Sequence, residues 1–355
     1  MPYPRRSIDL ARSPVVAIWE VTRACDLACR HCRACAMPRP APGELDATEA
    51  LELIEQLVEL DPGVVVLTGG DPLKRPDLFA IVERGVAAGL RIALAPSVTP
   101  LLTGEAIARF AAAGVVRVAL SLDGADAASH DDFRGAPGSF AATLKAAAAV
   151  RAAGLSLQIN TSVRRASVAT LPAVAELVAE LAPDLWSVFF VVAVGRARAS
   201  DEPTAADCEV AFHFLHDFTT RSGIAVKTTA APAYRRVVVE RGRDAGRARL
   251  PLPPAVTDGK GFVFVAHDGD VFPSGFLPLR AGNVRERRLA AIYRESPLFC
   301  GLRDRARLEG KCAACRFNPI CSGSRARAFA ATGNPFAEDP ACAHQPPGYT
   351  PRTPR

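Results

Sequence analysis

Long apolar runs and aromatic residues are scarce in this 355-residue chain. The longest continuous apolar run, residues 188–194, is far shorter than the roughly 18 residues that a membrane helix needs. Aromatic residues make up only 6% of the chain, and no basic stripe is interleaved with them, which argues against a nucleic-acid-binding face. The first 14 residues contain no apolar core and are therefore not a secretory signal. We expect a cytoplasmic protein that binds neither membranes nor nucleic acid.

Cysteine is the residue type that stands out against this ordinary background. Hydrophobic residues make up 49% of the chain and charged residues 23%, as in a globular protein, and the length suggests about two domains. The ten cysteines fall into two tight clusters and a few single positions. Because the cytosol is reducing, clustered thiols favour metal ligation over disulfides.

The first cluster follows a strand-like apolar run and has the spacing C-x3-C-x2-C, formed by Cys25, Cys29 and Cys32. Thiolates are soft ligands that suit iron–sulfur clusters and zinc. Three sulfurs can bind three corners of one cube, which leaves the fourth iron without a protein ligand. A structural zinc loop with His31 or Cys35 as the fourth ligand is the alternative.

Apolar runs alternate with amphipathic helical segments over the first two thirds of the chain. We predict strands at residues 15–22, 64–68, 91–96, 116–122, 155–163 and 186–194. The continuous β-branched run at 64–68 suits a strand buried on both faces. Six strands alternating with five or six helices predict a parallel α/β sheet, whose active residues gather at the carboxyl ends of the strands. Beyond residue 195 this alternation stops, and residues 241–254 are predicted to form a loop.

Polar residues and glycines follow several of these strands and are candidates for binding a ligand at that edge. Glycines allow a ligand to approach the backbone closely, although the same residues also suit simple turns. Gln158 and Asn160 point to the same side of the fifth strand because they are two residues apart. The candidates are Gly69, Gly70, Asp71, Pro72, Ser97, Ser121, Asp123, Gln158 and Asn160.

The cysteine spacing, followed by Gly69-Gly70-Asp71-Pro72, resembles the signature of the radical S-adenosylmethionine (SAM) enzymes. In that family the second motif is usually G-G-E-P, so Asp71 stands where Glu is common. The resemblance implies a partial (β/α)6 TIM-type barrel with a smaller α+β C-terminal iron–sulfur domain. It also implies that Cys25, Cys29 and Cys32 hold a catalytic 4Fe-4S cluster.

The same resemblance implies a reaction. The open iron would bind SAM, and the reduced cluster would cleave SAM to a 5'-deoxyadenosyl radical that removes hydrogen from a substrate. The candidates listed above would contact SAM. A ferredoxin or flavodoxin would supply the electron.

The second cluster consists of Cys312, Cys315, Cys321 and the more distant Cys342. Four thiols can close a zinc site or a 4Fe-4S cube. The pattern resembles the C-terminal extension called SPASM or, in its shorter form, twitch. The full SPASM form takes a further cysteine where this chain has Ser274, so the resemblance implies one auxiliary 4Fe-4S cluster held by these four cysteines.

We predict four segments from these boundaries. Residues 1–14 form an N-terminal arm, 15–200 the barrel, 201–344 the auxiliary-cluster domain and 345–355 a flexible tail.

Residues 272–285 and 321–328 resemble the haem-biosynthesis branch of the family, whose members remodel acetate or propionate side chains of tetrapyrroles. A group within this branch also carries the label of modifying the cofactor of tungsten aldehyde ferredoxin oxidoreductases. It commonly has Glu and His where this chain has Ala230 and Ala233. The resemblance implies a small-molecule or cofactor-like substrate.

Several arginines match substrate carboxylates in chemistry, although a solvated surface explains them as well. These are Arg196, Arg198, Arg235, Arg236, Arg325 and Arg327. A peptide maturase of the same family, or a non-catalytic iron–sulfur or zinc protein, is the alternative function.

Overall fold

The computed structural model describes residues 9–244 and 255–350. Its strands are β1 (Val16–Glu20), β2 (Val64–Thr68), β3 (Ile92–Leu94), β4 (Arg117–Ser121), β5 (Ser156–Val163), β6 (Leu185–Phe190), β7 (Val226–Thr229), β8 (Phe262–Val265), β9 (Asp270–Phe272) and β10 (Gly282–Asn283). Its helices are α1 (Ala47–Leu60), α2 (Leu78–Ala87), α3 (Gly104–Ala112), α4 (Ala127–Arg134), α5 (Ser139–Ala152), α6 (Leu171–Leu181), α7 (Ala205–Ser222), α8 (Tyr234–Asp244), α9 (Leu289–Glu295), α10 (Pro297–Arg303), α11 (Gly310–Ala314) and α12 (Arg325–Thr332).

The described strands form one sheet in the order β10-β9-β8-β1-β2-β3-β4-β5-β6-β7. Strands β1 to β7 pair in parallel with their sequence neighbours, and β8 also lies parallel to β1. Strands β9 and β10 extend that edge as antiparallel strands. Because β7 and β8 lie at opposite ends of the parallel part and both line one pocket, the sheet curls into a partial barrel.

The two faces of each parallel strand have different surroundings. In β1, Trp19 is fully buried in the main apolar core, whereas Val16 and Ile18 line the pocket inside the barrel. Helices cover the outer face, as in α1, where Leu53, Ile54 and Leu57 are fully buried. Burial of each such side chain contributes about 1.5–3 kcal/mol. The core therefore lies between sheet and helices, and the inner face is left for ligands.

Helix α1 shows how local sequence sets an element boundary. Asp46 accepts a hydrogen bond from the backbone N–H of Glu49, and the Glu49 carboxylate accepts one from the N–H of Asp46. This reciprocal capping box satisfies two N–H groups that a helix start leaves unpaired. Asp46 is therefore the N-cap of α1.

The predicted α/β architecture is confirmed, with six parallel strands in the order expected. The sheet continues beyond residue 200, since β7 pairs with β6 and β8 pairs with β1. The loop prediction for 241–254 is wrong at its start, because α8 continues to Asp244. Residues 245–254 lie outside the described residues. Within the predicted tail, the Tyr349 hydroxyl donates a 2.6 Å hydrogen bond to Glu338.

Candidate active site

A pocket opens at the carboxyl ends of the parallel strands and extends down the inside of the barrel. It brings together predicted residues from five different segments of the chain. Those that line it are Cys25, Cys29, Cys32, Gly69, Gly70, Ser97, Ser121, Gln158 and Asn160. Asp71, Pro72 and Asp123 were also predicted, and they lie outside this lining.

The turn after β2 packs directly against the backbone that leads into the cysteine loop. The N–H of Gly70 donates to the carbonyl of Thr22, and the N–H of Asp71 donates to that of Ala24. A Cβ on Gly69 would lie 2.3 Å from the Thr22 oxygen, and one on Gly70 would lie 2.3 Å from the Ala24 oxygen. Glycine is required at both positions because the two backbone segments lie too close together to leave room for a side chain.

Each of the three N-terminal sulfurs accepts a hydrogen bond from a nitrogen. Cys25 accepts from the N–H of Leu27 at 3.3 Å, and Cys32 accepts from that of Ala36 at 3.4 Å. Cys29 accepts from Nη1 of Arg134 at 3.7 Å. Donors placed on a sulfur favour its charged form, which is the form that binds metal. The donor set therefore fits an iron–sulfur cluster.

A buried ion pair holds Arg134 in position next to Cys29. Its Nη2 lies 2.5 Å from Oδ2 of Asp123, whose other oxygen accepts from the N–H of Ser162 at 2.6 Å. The N–H of Asp123 donates to Nδ1 of His130. Burial alone raises the pKa of Asp123, but Arg134, His31, the Ser162 N–H and His130 together outweigh burial and hold that pKa below its usual range. In this structure Asp123 therefore orients Arg134.

His31 and Cys35 were the possible fourth ligands of a zinc loop. The His31 ring stacks on Phe133 with centroids 4.2 Å apart, and burial lowers its pKa to about 4. Cys35 has a left-handed backbone with a φ of 46°. Within residues 9–244 and 255–350, no three His, Cys, Asp or Glu side chains form a group that could hold a single metal ion.

Polar side chains line the same pocket as the cysteines. Ser97 donates to the carbonyl of Gly70 at 2.8 Å and lies 3.5 Å from the Cys25 sulfur. Gln158 donates to Asn160 at 2.7 Å, and Asn160 is the register partner of Ser121 on β4. These groups offer donors and acceptors close to the thiols, as a polar cofactor requires.

Asp71 has a structural contact. Its carboxylate is fully buried and accepts from the Thr99 hydroxyl at 2.7 Å and from the N–H of Leu73 at 3.2 Å. It ties the turn after β2 to the segment after β3.

The four C-terminal thiols show the same hydrogen-bond pattern as the first three. The sulfurs of Cys312, Cys315 and Cys321 each accept from a backbone N–H at 3.4 Å. Cys342 accepts from the N–H of His344. Burial raises the pKa of Cys342 to about 11, and the nearby charges of Asp339 and Cys312 add to this rise.

The single cysteines have different surroundings. Cys208 is buried in α7, and burial raises the pKa of its thiol to about 12. Cys300 is exposed, and its thiol donates a hydrogen bond to the carbonyl of Arg294.

Most of the arginines considered for substrate carboxylates have structural partners instead. Arg236 pairs with Glu209 and Glu240, and Arg235 donates to the carbonyl of Ile320. Arg325 and Arg327 are each 1% exposed and donate to backbone carbonyls. Arg198 is exposed, and Arg196 lies beside the Cys32 sulfur.

Sequence reasoning missed four basic residues that line the pocket itself. They are Arg33, Arg91, Arg117 and Lys227, and no described residue that lines the pocket is Asp or Glu. The signal that could have found Lys227 is its place in an alternating strand, Val226 to Thr229. Among the described residues, no helix is long and apolar enough to cross a membrane.

Comparison with known proteins gives matches over the whole chain. A model of the radical SAM superfamily matches residues 19–165. An AdoMet-dependent heme synthase from Methanosarcina barkeri is 38% identical, over 96% of this chain and 99% of that protein. One from Oleidesulfovibrio alaskensis is 37% identical, over 98% and 91%. The solved structure of Streptococcus suis SuiB bound to S-adenosylmethionine matches with a TM-score of 0.71 at 17% identity, over 94% and 78%, which is a likeness of fold.

Proposed function

Because this chain belongs to the radical SAM superfamily, we propose that its cysteine pocket activates SAM to remodel a carboxylate side chain of a tetrapyrrole. Cys25, Cys29 and Cys32 hold the catalytic 4Fe-4S cluster in this proposal. The single observation that supports it is that these three thiols, each with an N–H donor, share one pocket with the polar groups of β4 and β5.

The chain is a radical SAM enzyme that binds SAM and a 4Fe-4S cluster. Together these cofactors supply a carbon radical that removes a hydrogen atom from the substrate. The protein supplies binding, orientation and a site that excludes water. Gly69 and Gly70 present backbone groups at the pocket wall, and Ser97, Ser121, Gln158 and Asn160 present side chains. These six residues, with Asp71 and Pro72 in the supporting turn, form the proposed SAM site.

The haem-type substrate is proposed from the relatives, since two of them at 37–38% identity are AdoMet-dependent heme synthases. The cavity of about 350 Å³ is at the small end of the range for ligand pockets. SAM would occupy much of it, so the macrocycle would remain at the mouth and one side chain would enter. The pocket's basic lining suits a carboxylate on that side chain.

An auxiliary 4Fe-4S cluster held by Cys312, Cys315, Cys321 and Cys342 is part of the proposal. The four backbone N–H groups directed at these sulfurs support it. A protein reductant of the ferredoxin or flavodoxin type would deliver the electrons.

The test is SAM cleavage by the anaerobically purified, dithionite-reduced enzyme with iron coproporphyrin III, a porphyrin with four propionates. We expect 5'-deoxyadenosine, and a porphyrin product lighter by the loss of carboxyl groups. Cys25→Ala should abolish both, whereas Cys300→Ala, at an exposed single cysteine, should retain both. Absence of 5'-deoxyadenosine from the iron-loaded wild type would contradict the enzyme assignment. SAM cleavage without any change in the porphyrin would contradict the tetrapyrrole substrate and leave a peptide substrate as the next test.

A further inference from the structure

Lys227 lies on the inner face of β7, within the pocket that holds the cysteines. In the sheet register it is the partner of Ser187 on β6, which in turn is the partner of Asn160 on β5. Asn160 pairs with Ser121 on β4. One polar row therefore crosses four strands and ends at a lysine.

The Lys227 side chain lines the pocket and keeps exposed surface there. The surrounding protein lowers the pKa of its ammonium, and the charge of Arg117 lowers it further. The pocket contains no described acidic side chain to pair with it. Arg117 has a neutral partner, since its Nε donates to the Ser156 hydroxyl at 3.1 Å.

Two other cations that line the pocket are each paired with a carboxylate. Arg134 pairs with Asp123, and Arg33 pairs with Glu20 at 2.5 Å. Lys227 has no such carboxylate among the described residues. A pocket that is lined by an unpaired ammonium and by no described acidic side chain favours an anion over a neutral ligand.

A second group points to the same ligand. Ser187 is fully buried, lines the pocket and has no hydrogen-bond partner for its hydroxyl in the described structure. Buried hydroxyls are normally paired, and this one is the register partner of Lys227. An ammonium and a hydroxyl on adjacent strands can together bind the two oxygens of one carboxylate.

We propose that Lys227, assisted by Ser187, binds a carboxylate of the substrate inside the barrel. This inference rests on the proposed function, because it takes the substrate to be a carboxylate-bearing tetrapyrrole. It makes Lys227 a binding residue that orients the substrate's side chain at one end of the polar row that crosses β4 to β7.

The test is an anaerobic absorbance titration of the iron-loaded enzyme, in the presence of SAM, with two porphyrins. One is iron coproporphyrin III, and the other is its tetraamide, which has a similar shape but no carboxylate. The variants are Lys227→Met, Lys227→Arg and, as the matched control, Lys145→Met at an exposed position of α5. Iron content per chain checks that every sample carries its clusters.

We expect Lys227→Met to weaken binding of the tetraacid by roughly fivefold, since it removes the ammonium that pairs with the carboxylate in a partly solvated pocket. Lys227→Arg should recover most of the loss, and Lys145→Met should bind as the wild type does. All four proteins should bind the tetraamide alike.

Equal tetraacid binding by the wild type and Lys227→Met would overturn the inference and leave the proposed function standing. Equal weakening of both porphyrins by Lys227→Met and Lys227→Arg would indicate lost packing and overturn it as well. If the iron-loaded wild type binds neither porphyrin, the tetrapyrrole function fails, and the inference fails with it.

Discussion

Asp123 and Arg134 form a buried ion pair immediately beside Cys29. The Asp123 side chain is 1% exposed and that of Arg134 is 14% exposed, so water screens the pair poorly. Removing one partner of this ion pair should lower the stability of the fold, because the other partner would remain as an uncompensated buried charge.

We predict that Arg134→Met lowers the free energy of unfolding by about 3–5 kcal/mol. The double variant Asp123→Asn/Arg134→Met should lose less than the sum of the two single losses, because no charge is left unpaired. Urea unfolding of the anaerobic protein measures all three. Arg30→Met is the control. Arg30 pairs with Asp132, which lies on α4 as Arg134 does, and because this ion pair is about half exposed it should contribute less than about 1 kcal/mol. Strictly additive losses would contradict the coupling.

Lys227 gives a prediction about pH. Burial lowers the pKa of Lys227 in the folded state below the 10.5 of a free lysine, so the fold disfavours its charged form. The cost is fully present below the folded pKa and disappears as the pH rises towards 10.5, where the unfolded chain also loses the proton. The substrate-free Lys227→Met variant should therefore be slightly more stable than the wild type at pH 7, because water screens much of the charge of an exposed ammonium, and this small advantage should shrink by pH 10.

Urea unfolding at the two pH values measures this difference. Lys145→Met provides the control, because Lys145 is exposed on α5 and does not line the pocket, so its loss should change stability little at either pH. A Lys227→Met variant that is less stable than the wild type at pH 7 would contradict the reading of Lys227 as an unpaired cation.

At the scale of elements, the turn after β2 and the loop after β1 fold against each other. Two backbone hydrogen bonds join them, and Gly70 leaves no room for a side chain between them. The cysteine loop is therefore positioned by a neighbouring strand as well as by its own spacing.

We predict that Gly70→Ala moves the cysteine loop and reduces the iron content by about one cluster, or about four irons per chain. The reason is the 2.3 Å distance that its Cβ would have from the Ala24 carbonyl, which cannot move without its peptide. Gly104→Ala is the matched control because its Cβ would meet nothing within 4 Å at the start of α3. Iron and sulfide analysis measures the result, and full iron content in Gly70→Ala would contradict the prediction.

The elements also show how far sequence reasoning reaches. Apolar runs and thiol spacing are local, so the six strands and both cysteine groups could be read from the chain. Which side chains meet in the barrel depends on sheet register and curvature, so Lys227 on β7 was missed although Asn160 was not. Arg327 was considered a surface or substrate-binding residue, yet it is buried, because its carbonyl partners at Phe190 and Ala230 are remote in sequence.

At the scale of the whole molecule, Arg327 joins the C-terminal cysteine segment to the barrel. From α12 it donates to the carbonyls of Phe190 and Val191 at the end of β6 and to that of Ala230 after β7. Its Nη1 also lies 3.9 Å from Asp339, which donates its N–H to the Cys312 sulfur. One side chain therefore links the strand ends to the support of the proposed auxiliary cluster.

We predict that Arg327→Met loosens this segment and lowers the iron content from about eight to about four per chain, because three buried carbonyls lose their donor. The N-terminal cluster should remain, since its thiols take their donors from Leu27, Ala36 and Arg134. Arg305→Met, an exposed arginine of the same region, should keep about eight irons. Iron and sulfide analysis after anaerobic reconstitution distinguishes the outcomes. Eight irons in Arg327→Met would show that the four C-terminal thiols hold their cluster without this link, and loss of all iron would show that the two cysteine groups do not fold independently.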